Sequence, residues 1–193
     1  MYSLREFQAV GSDLYTAGLN NSHSGNMSVR DNRCMQITKS GAMLHRLEFD
    51  DIIETLIGQE DNNTHKASRE KPVHSKIYAD TDYQAIVHAH PPAIIALSLI
   101  MDHIMPIDSE GAYFFNNGVS VLSFDSTIAS DEVAKALPAA LKKCPIAIVR
   151  GHGTFAVADS LYDALQSTSS LEHSARIIIH KNQSLNTLVK DKL

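Results

Sequence analysis

Apolar residues recur every three or four positions at Leu4, Phe7, Val10 and Leu14, the spacing of an amphipathic helix that ends near Gly18. A Gly/Asn/Ser loop, 18–26, follows it. Two short β-rich runs, 27–30 and 34–38, flank Asp31-Asn32 and predict a hairpin, with a third strand at 51–57 and a polar loop at 58–68. Pro72 suits the first turn of a helix whose Val73 and Ile77 share a face. The β-rich run 84–90 is stopped by Pro91-Pro92, which start a helix through Ala93 and Leu97. A strand is expected at 119–124, then a helix capped by Ser130 or Asp131 that reaches Lys143, bent or interrupted by Pro138. Strands at 146–149 and 154–157 flank a tight Gly151-His152-Gly153 connection. Asp159 opens a long last helix that buries Leu161, Leu165, Leu171, Ala175 and Ile178.

Interleaved helices and strands with several short connections predict a mixed sheet covered by helices, not a strictly parallel doubly wound one. No repeat, low-complexity tract or Pro/Gly-rich linker divides the chain, so residues 1–193 are read as a single domain. The composition, 44% hydrophobic and 20% charged, is that of an ordinary globular protein. A net charge of -5 with no Lys/Arg block argues against nucleic acid as partner, and leaves any anionic ligand to local donors. The longest apolar stretch, near 93–101, is too short to span a bilayer. The N-terminal ten residues read as a mixed polar helix and not as a signal peptide. A cytoplasmic protein with reduced, buried Cys34 and Cys144 is therefore expected. No glycine-rich fingerprint follows a strand, so no dinucleotide cofactor is expected.

The chemistry concentrates in Val87-His88-Ala89-His90 at the end of a predicted strand. Residues i and i+2 of a strand point to one face, so both imidazoles can reach one ion, with Ile86 and Ala89 as apolar packing around them. Gly151 and Gly153 free the backbone to present His152 at a turn. Three neutral histidines with an open position suit a catalytic zinc ion, which three imidazoles favour over manganese or cobalt. Glu70, just before the Pro-started helix, can complete the coordination and then swing off as a general base, or can simply complement a helix N-terminus. His74 is given a packing or hydrogen-bonding role away from Glu70's face. His23 lies in a candidate ligand loop, and His45, His65, His103, His173 and His180 read as solvated or structural.

Gly18-Leu19-Asn20 through Ser24-Gly25-Asn26-Met27-Ser28-Val29-Arg30, then Ile37-Thr38-Lys39-Ser40-Gly41, Glu70 with His74, His88-Ala89-His90 and His152-Gly153 occur in one order over about residues 1 to 180. In that order they resemble the class II aldolase/adducin superfamily, and within it the L-fuculose-1-phosphate aldolases. The resemblance implies a three-layer α/β/α fold with a mixed, largely antiparallel sheet, and a homotetramer with sites near its interfaces. It also implies one zinc per subunit on His88, His90 and His152, with Glu70 as fourth ligand or base. Gly25, Asn26, Ser40, Gly41 and Ser68 fall where the family binds substrate phosphate, chemistry that backbone N–H groups and hydroxyls can perform. The implied activity is metal-dependent cleavage of a ketose 1-phosphate or related sugar phosphate through a zinc-stabilised enediolate. Superfamily alternatives are a methylthioribulose-1-phosphate dehydratase, an oxo sugar acid phosphate decarboxylase and a pentulose-phosphate 4-epimerase; an adducin-like interaction module is the non-enzymatic one.

Three positions depart from that pattern. The family's paired serines are Ser68-Arg69 here, where Arg69 strengthens phosphate or carboxylate binding or points to solvent. The tyrosine that a neighbouring subunit supplies as proton donor aligns with Glu110, with Tyr113 three residues on as a substitute or a packing residue. A longer C-terminal tail carrying another tyrosine is expected to be absent or shortened. Metal and enediolate chemistry survive these changes, whereas the proton donor and the particular sugar do not follow from the sequence.

Overall fold

The computed structural model describes residues 4–190, with side chains through 184; the outermost residues of the expected N-terminal helix and of the C-terminus lie outside the described residues. Six helices are present among the described residues, α1 (Leu4–Thr16), α2 (Lys71–Asp80), α3 (Pro92–Ser98), α4 (Ser109–Phe114), α5 (Asp131–Leu141) and α6 (Leu161–Lys190). The strands are β1 (Asn26–Asp31), β2 (Cys34–Thr38), β3 (Ile52–Leu56), β4 (Ala85–Ala89), β5 (His103–Ile104), β6 (Val119–Leu122), β7 (Ile146–Val149) and β8 (Gly153–Ala158). They form one sheet in the order β3-β2-β1-β4-β8-β7-β6-β5. Every neighbouring pair is antiparallel except β6 and β7. The mixed, largely antiparallel sheet is as expected.

Two apolar cores make the three layers. On one face, Phe7, Val10 and Leu14 of α1, Ile94 and Leu97 of α3, and Leu161, Ala164 and Leu171 of α6 pack on Met27, Val29, Val87 and Ile148. On the other, Val73 and Ile77 of α2 and Val133, Leu137 and Leu141 of α5 pack on Met35, Ile37, Ile86, Phe155 and Val157. β4, the fourth of the eight strands in the sheet, is buried on both faces, which is why its sequence is continuously apolar up to His88. The pleat sends Val87 and Ala89 to the first core and Ile86, with His88, to the second. Ala89 is thus not part of the packing around the histidines; Ile86 and Phe155 are.

Local details differ from expectation for identifiable reasons. Pro138 does not interrupt the run: α5 continues through it to Leu141, with the Ser130 hydroxyl accepting from Val133 N at 3.2 Å as its cap. The last helix opens at Ser160, whose hydroxyl accepts from Asp163 N at 3.1 Å, and not at Asp159. The two-residue β5 and the single turn and a half of α4, capped by Asp108, are too short to leave a periodic signal. Cys34 and Cys144 are free and only half-buried.

Candidate metal centre

His88 is the penultimate residue of β4, held between Asn26 of β1 and Phe155 of β8 by the ladder on either side. Its Nδ1 lies 2.9 Å from the Thr154 carbonyl, which can only accept. Nδ1 therefore carries the proton, and Nε2 keeps a free lone pair. The Phe155 ring stacks on the imidazole at 4.2 Å and 16°, fixing its plane. His90 has left the strand. Its N–H is shared by Leu19 O at 3.0 Å and Asn20 Oδ1 at 2.8 Å, and this anchor turns its ring back until the two Nε2 atoms are 3.0 Å apart. Gly25 makes this close approach feasible: at φ 77° its Cβ would sit 2.4 Å from Asn20 Nδ2 and 2.6 Å from His88 O.

His152 arrives from the hairpin between β7 and β8. Its N–H donates to Val149 O at 3.0 Å. The turn is pinned by Arg150, whose guanidinium donates to Ser98 O, Asp102 and Ser123 Oγ, while Ser98 Oγ accepts from Gly151 N at 3.0 Å. A Cβ on Gly153 would come within 2.2 Å of Ala89 O, so only glycine lets the hairpin approach β4 so closely. The three histidines present ligand atoms that all lie within 4.8 Å of one another; among the described residues no other such group converges.

Burial, then repulsion from His90 and His152, holds His88 well below its ordinary pKa; burial, then His152, lowers His90 to about 4. Burial also lowers His152, opposed by the backbone at Thr127. All three rings are neutral at pH 7, the state a metal requires. His152 Nδ1 is buried with no hydrogen-bond partner. Metal–nitrogen bonds of about 2.0–2.1 Å would set ligand nitrogens somewhat over 3 Å apart, close to the spacing of the His88–His90 pair. The donor set fits a divalent ion with an open position.

A cleft of about 360 Å³ opens over these nitrogens. His88, His90, His152 and Glu70 line it together with Gly25, Asn26, Ser40, Gly41, Ser68 and Arg69, joined by His23, Ser24, Lys39 and Ile128. The loops are brought together by a bridge between Lys39 and Ala67 and by Ser68 N donating to Thr38 O at 3.0 Å. Ser68 Oγ accepts from Glu70 N at 3.2 Å, leaving its own proton for a ligand. Glu70, 5% exposed, is the cap residue of α2. Its Oε1 accepts from Ala129 N at 3.0 Å, and its Oε2 is buried without a partner. Burial raises its pKa and the Ala129 N–H partly opposes this, which suits a proton-transfer group. The carboxylate shares the cleft but stands outside the three-nitrogen cluster.

These features coincide with a family match. The profile described as "Class II Aldolase and Adducin N-terminal domain" matches residues 5–179. The chain belongs to the class II aldolase and adducin family. The structure of l-fuculose-1-phosphate aldolase from Thermus thermophilus superposes with a TM-score of 0.89 at 34% identity, covering 94% of this chain and 95% of that one. The L-fuculose phosphate aldolase of Methanocaldococcus jannaschii is 30% identical over 171 residues, 86% of this chain and 87% of that protein. The 3,4-dihydroxyphthalate decarboxylase of Rhodococcus jostii is 33% identical over 133 residues, a match that spans 66% of this chain and about half, 55%, of that relative. The relatives are thus lyases of more than one kind.

Of the remaining candidates, Tyr113 is 82% exposed on α4 and lies outside the cleft, its ring against Phe114. Glu110 is exposed in the first turn of the same helix. His45 stacks on Tyr15, and His103 Nε2 meets Asn117 O at 2.8 Å. Sequence reasoning missed three supports of the site, Phe155, Arg150 and Ser98, and held Asn20 only as part of the Gly18-Leu19-Asn20 motif, with no role of its own. Among the described residues no helix is long and apolar enough to cross a membrane.

Proposed function

We propose that this protein is a zinc-dependent lyase that cleaves a carbon–carbon bond in a ketose 1-phosphate or a closely related sugar phosphate. The observation that carries this reading is one cleft lined both by three converging neutral imidazoles and by glycine, serine and amide donors. His88, His90 and His152 would hold the ion, which when bound supplies a Lewis acid for negative charge developing on a substrate oxygen. Gly25-Asn26, Ser40-Gly41 and Ser68 hold the phosphate through N–H and O–H donors, and Arg69 adds a charge. Glu70 takes and returns the proton at the carbon next to the carbonyl, and its burial keeps that carboxylate more basic than one in water. Leu99, Ile100, Ile107, Tyr113 and Phe114 are exposed. This supports a homo-oligomer, a tetramer by family analogy, in which Tyr113 of a second copy protonates the leaving fragment.

The experiment is product analysis with a panel of ketose phosphates and the Glu70→Gln variant. Two carbonyl fragments from the wild type, and loss of cleavage in the variant with zinc still bound, are expected. Full cleavage by Glu70→Gln would remove the base role. A decarboxylase is the second reading, favoured by Arg69 in place of a serine and by the dihydroxyphthalate relative; release of carbon dioxide without a second carbonyl fragment would select it.

A further inference from the structure

Two buried polar atoms one helical turn apart lack partners: Glu70 Oε2 and His74 Nε2. Glu70 caps α2 and His74 follows four residues on, the spacing that sets two side chains one above the other along a helix. The far side of the imidazole decides which atom is the donor. His74 Nδ1 is 2.6 Å from Ser28 Oγ, and that hydroxyl is 2.8 Å from the Tyr78 phenol. A 2.6 Å approach is short for N–H···O and suits a hydroxyl proton directed at a ring nitrogen. The phenol is 3.5 Å from Gln84 O, the long limit of a hydrogen bond, so its proton is better directed at Ser28. The relay then runs from Tyr78 to Ser28 to His74 Nδ1, which places the imidazole proton on Nε2. Burial keeps the ring neutral, with a pKa of about 3. His74 Nε2–H is a donor without an acceptor; Glu70 Oε2 is an acceptor without a donor.

The present seat of the Glu70 carboxylate is a weak one. Ala129, whose N–H it accepts, sits at φ 50°, a left-handed conformation that disfavours alanine, on a loop with exposed Ile128 beside it. We propose that His74 is a positioning residue for Glu70, its Nε2–H receiving the carboxylate when Glu70 leaves Ala129, so that the base moves between two fixed seats. The inference rests on the reading of Glu70 as the proton-transfer group, and extends it to a residue otherwise assigned to packing. The two seats differ in kind: a strained loop N–H at the cleft wall, and a core side chain locked by a relay through Ser28 of β1.

Long-range 1H–15N spectra of 15N-histidine-labelled protein, metal-free and zinc-loaded, test this without any substrate. His74 is assigned by its loss in His74→Gln. A protonated Nε2 with a bare Nδ1, and an Nε2–H resonance that moves in Glu70→Gln, are expected. An Nδ1–H tautomer, or a resonance indifferent to Glu70→Gln, overturns the proposal and leaves the lyase reading standing. Once a substrate turns over, His74→Leu should lower kcat by roughly 10–100-fold with KM and zinc content kept. His74→Gln, which retains an N–H near the Nε2 position, should recover most of that loss. Unchanged kcat in the leucine variant, or no recovery with glutamine, also overturns it. If the leucine variant does not fold, the tautomer and the glutamine variant decide.

Discussion

Gly25 is the point at which backbone geometry and metal affinity are most tightly coupled, and Gly25→Ala separates them from general strain. At φ 77° an alanine costs about 1–2 kcal/mol in the left-handed region alone. Its Cβ would also meet His88 O at 2.6 Å and Asn20 Nδ2 at 2.4 Å. The carbonyl belongs to β4 and cannot retreat without disturbing the Asn26–His88 pairing, so overpacking adds about 1–3 kcal/mol. A total of about 3 kcal/mol corresponds to a fall in Tm of about 6–12 °C for a domain of this size. The Asn20 amide must also move, and with it the 2.8 Å bond that anchors His90 N. Losing that anchor should weaken zinc binding at least tenfold, about 1.4 kcal/mol. Gly18→Ala is the control: φ is 70° there too, but nothing lies within 4 Å of its Cβ, so it should show the left-handed cost and unchanged zinc affinity. Thermal unfolding and competitive zinc titration of both variants measure the difference. If Gly25→Ala behaves like Gly18→Ala in both assays, the proposed link from Gly25 through Asn20 to His90 is wrong.

Three further outcomes follow from the same geometry. His90, at about 4, and His74, at about 3, lie below the ordinary 6.5, so the unfolded chain takes up protons that the folded chain refuses. Stability of the metal-free protein should therefore fall as pH drops from 6.5 towards 4, by about 1.4 kcal/mol per pH unit for each such group, in urea unfolding at stepped pH; a flat profile would refute the burial assignment. Arg69→Ala should raise KM for a phosphorylated or carboxylated substrate roughly tenfold while zinc affinity stays constant, since Arg69 lines the cleft without belonging to the three-nitrogen cluster; steady-state kinetics and zinc titration check both halves. Ile100→Asp, at a residue 80% exposed in an apolar neighbourhood, should lower the oligomeric state seen by sedimentation without unfolding the chain.

The elements legible in the sequence were those with a period or a stop signal. α1, the β1–β2 hairpin, β4 ended by Pro91-Pro92 and β8 fall within a residue or two of expectation because their apolar positions recur, or run unbroken between turn and stop signals. β5 and α4 were missed because two and six residues are too few to show either period. The histidine triad was readable because two histidines close a strand and two glycines flank the third, whereas its supports were not. Arg150, Ser98 and Phe155 act through contacts made 50 residues or more along the chain, and such contacts leave no trace in local pattern. Pro138 does not interrupt α5 for a related reason: α2 and α5 pack on the same core, and that burial outweighs one absent helical hydrogen bond.

The most direct test of the metal-dependent lyase is to follow products from zinc-loaded protein with a ketose 1-phosphate panel, before and after chelation. Stoichiometric release of two carbonyl fragments from at least one substrate, abolished by chelator and restored by zinc, is predicted. Turnover indifferent to chelation, or a product set containing only water or carbon dioxide as the second fragment, would contradict the assignment.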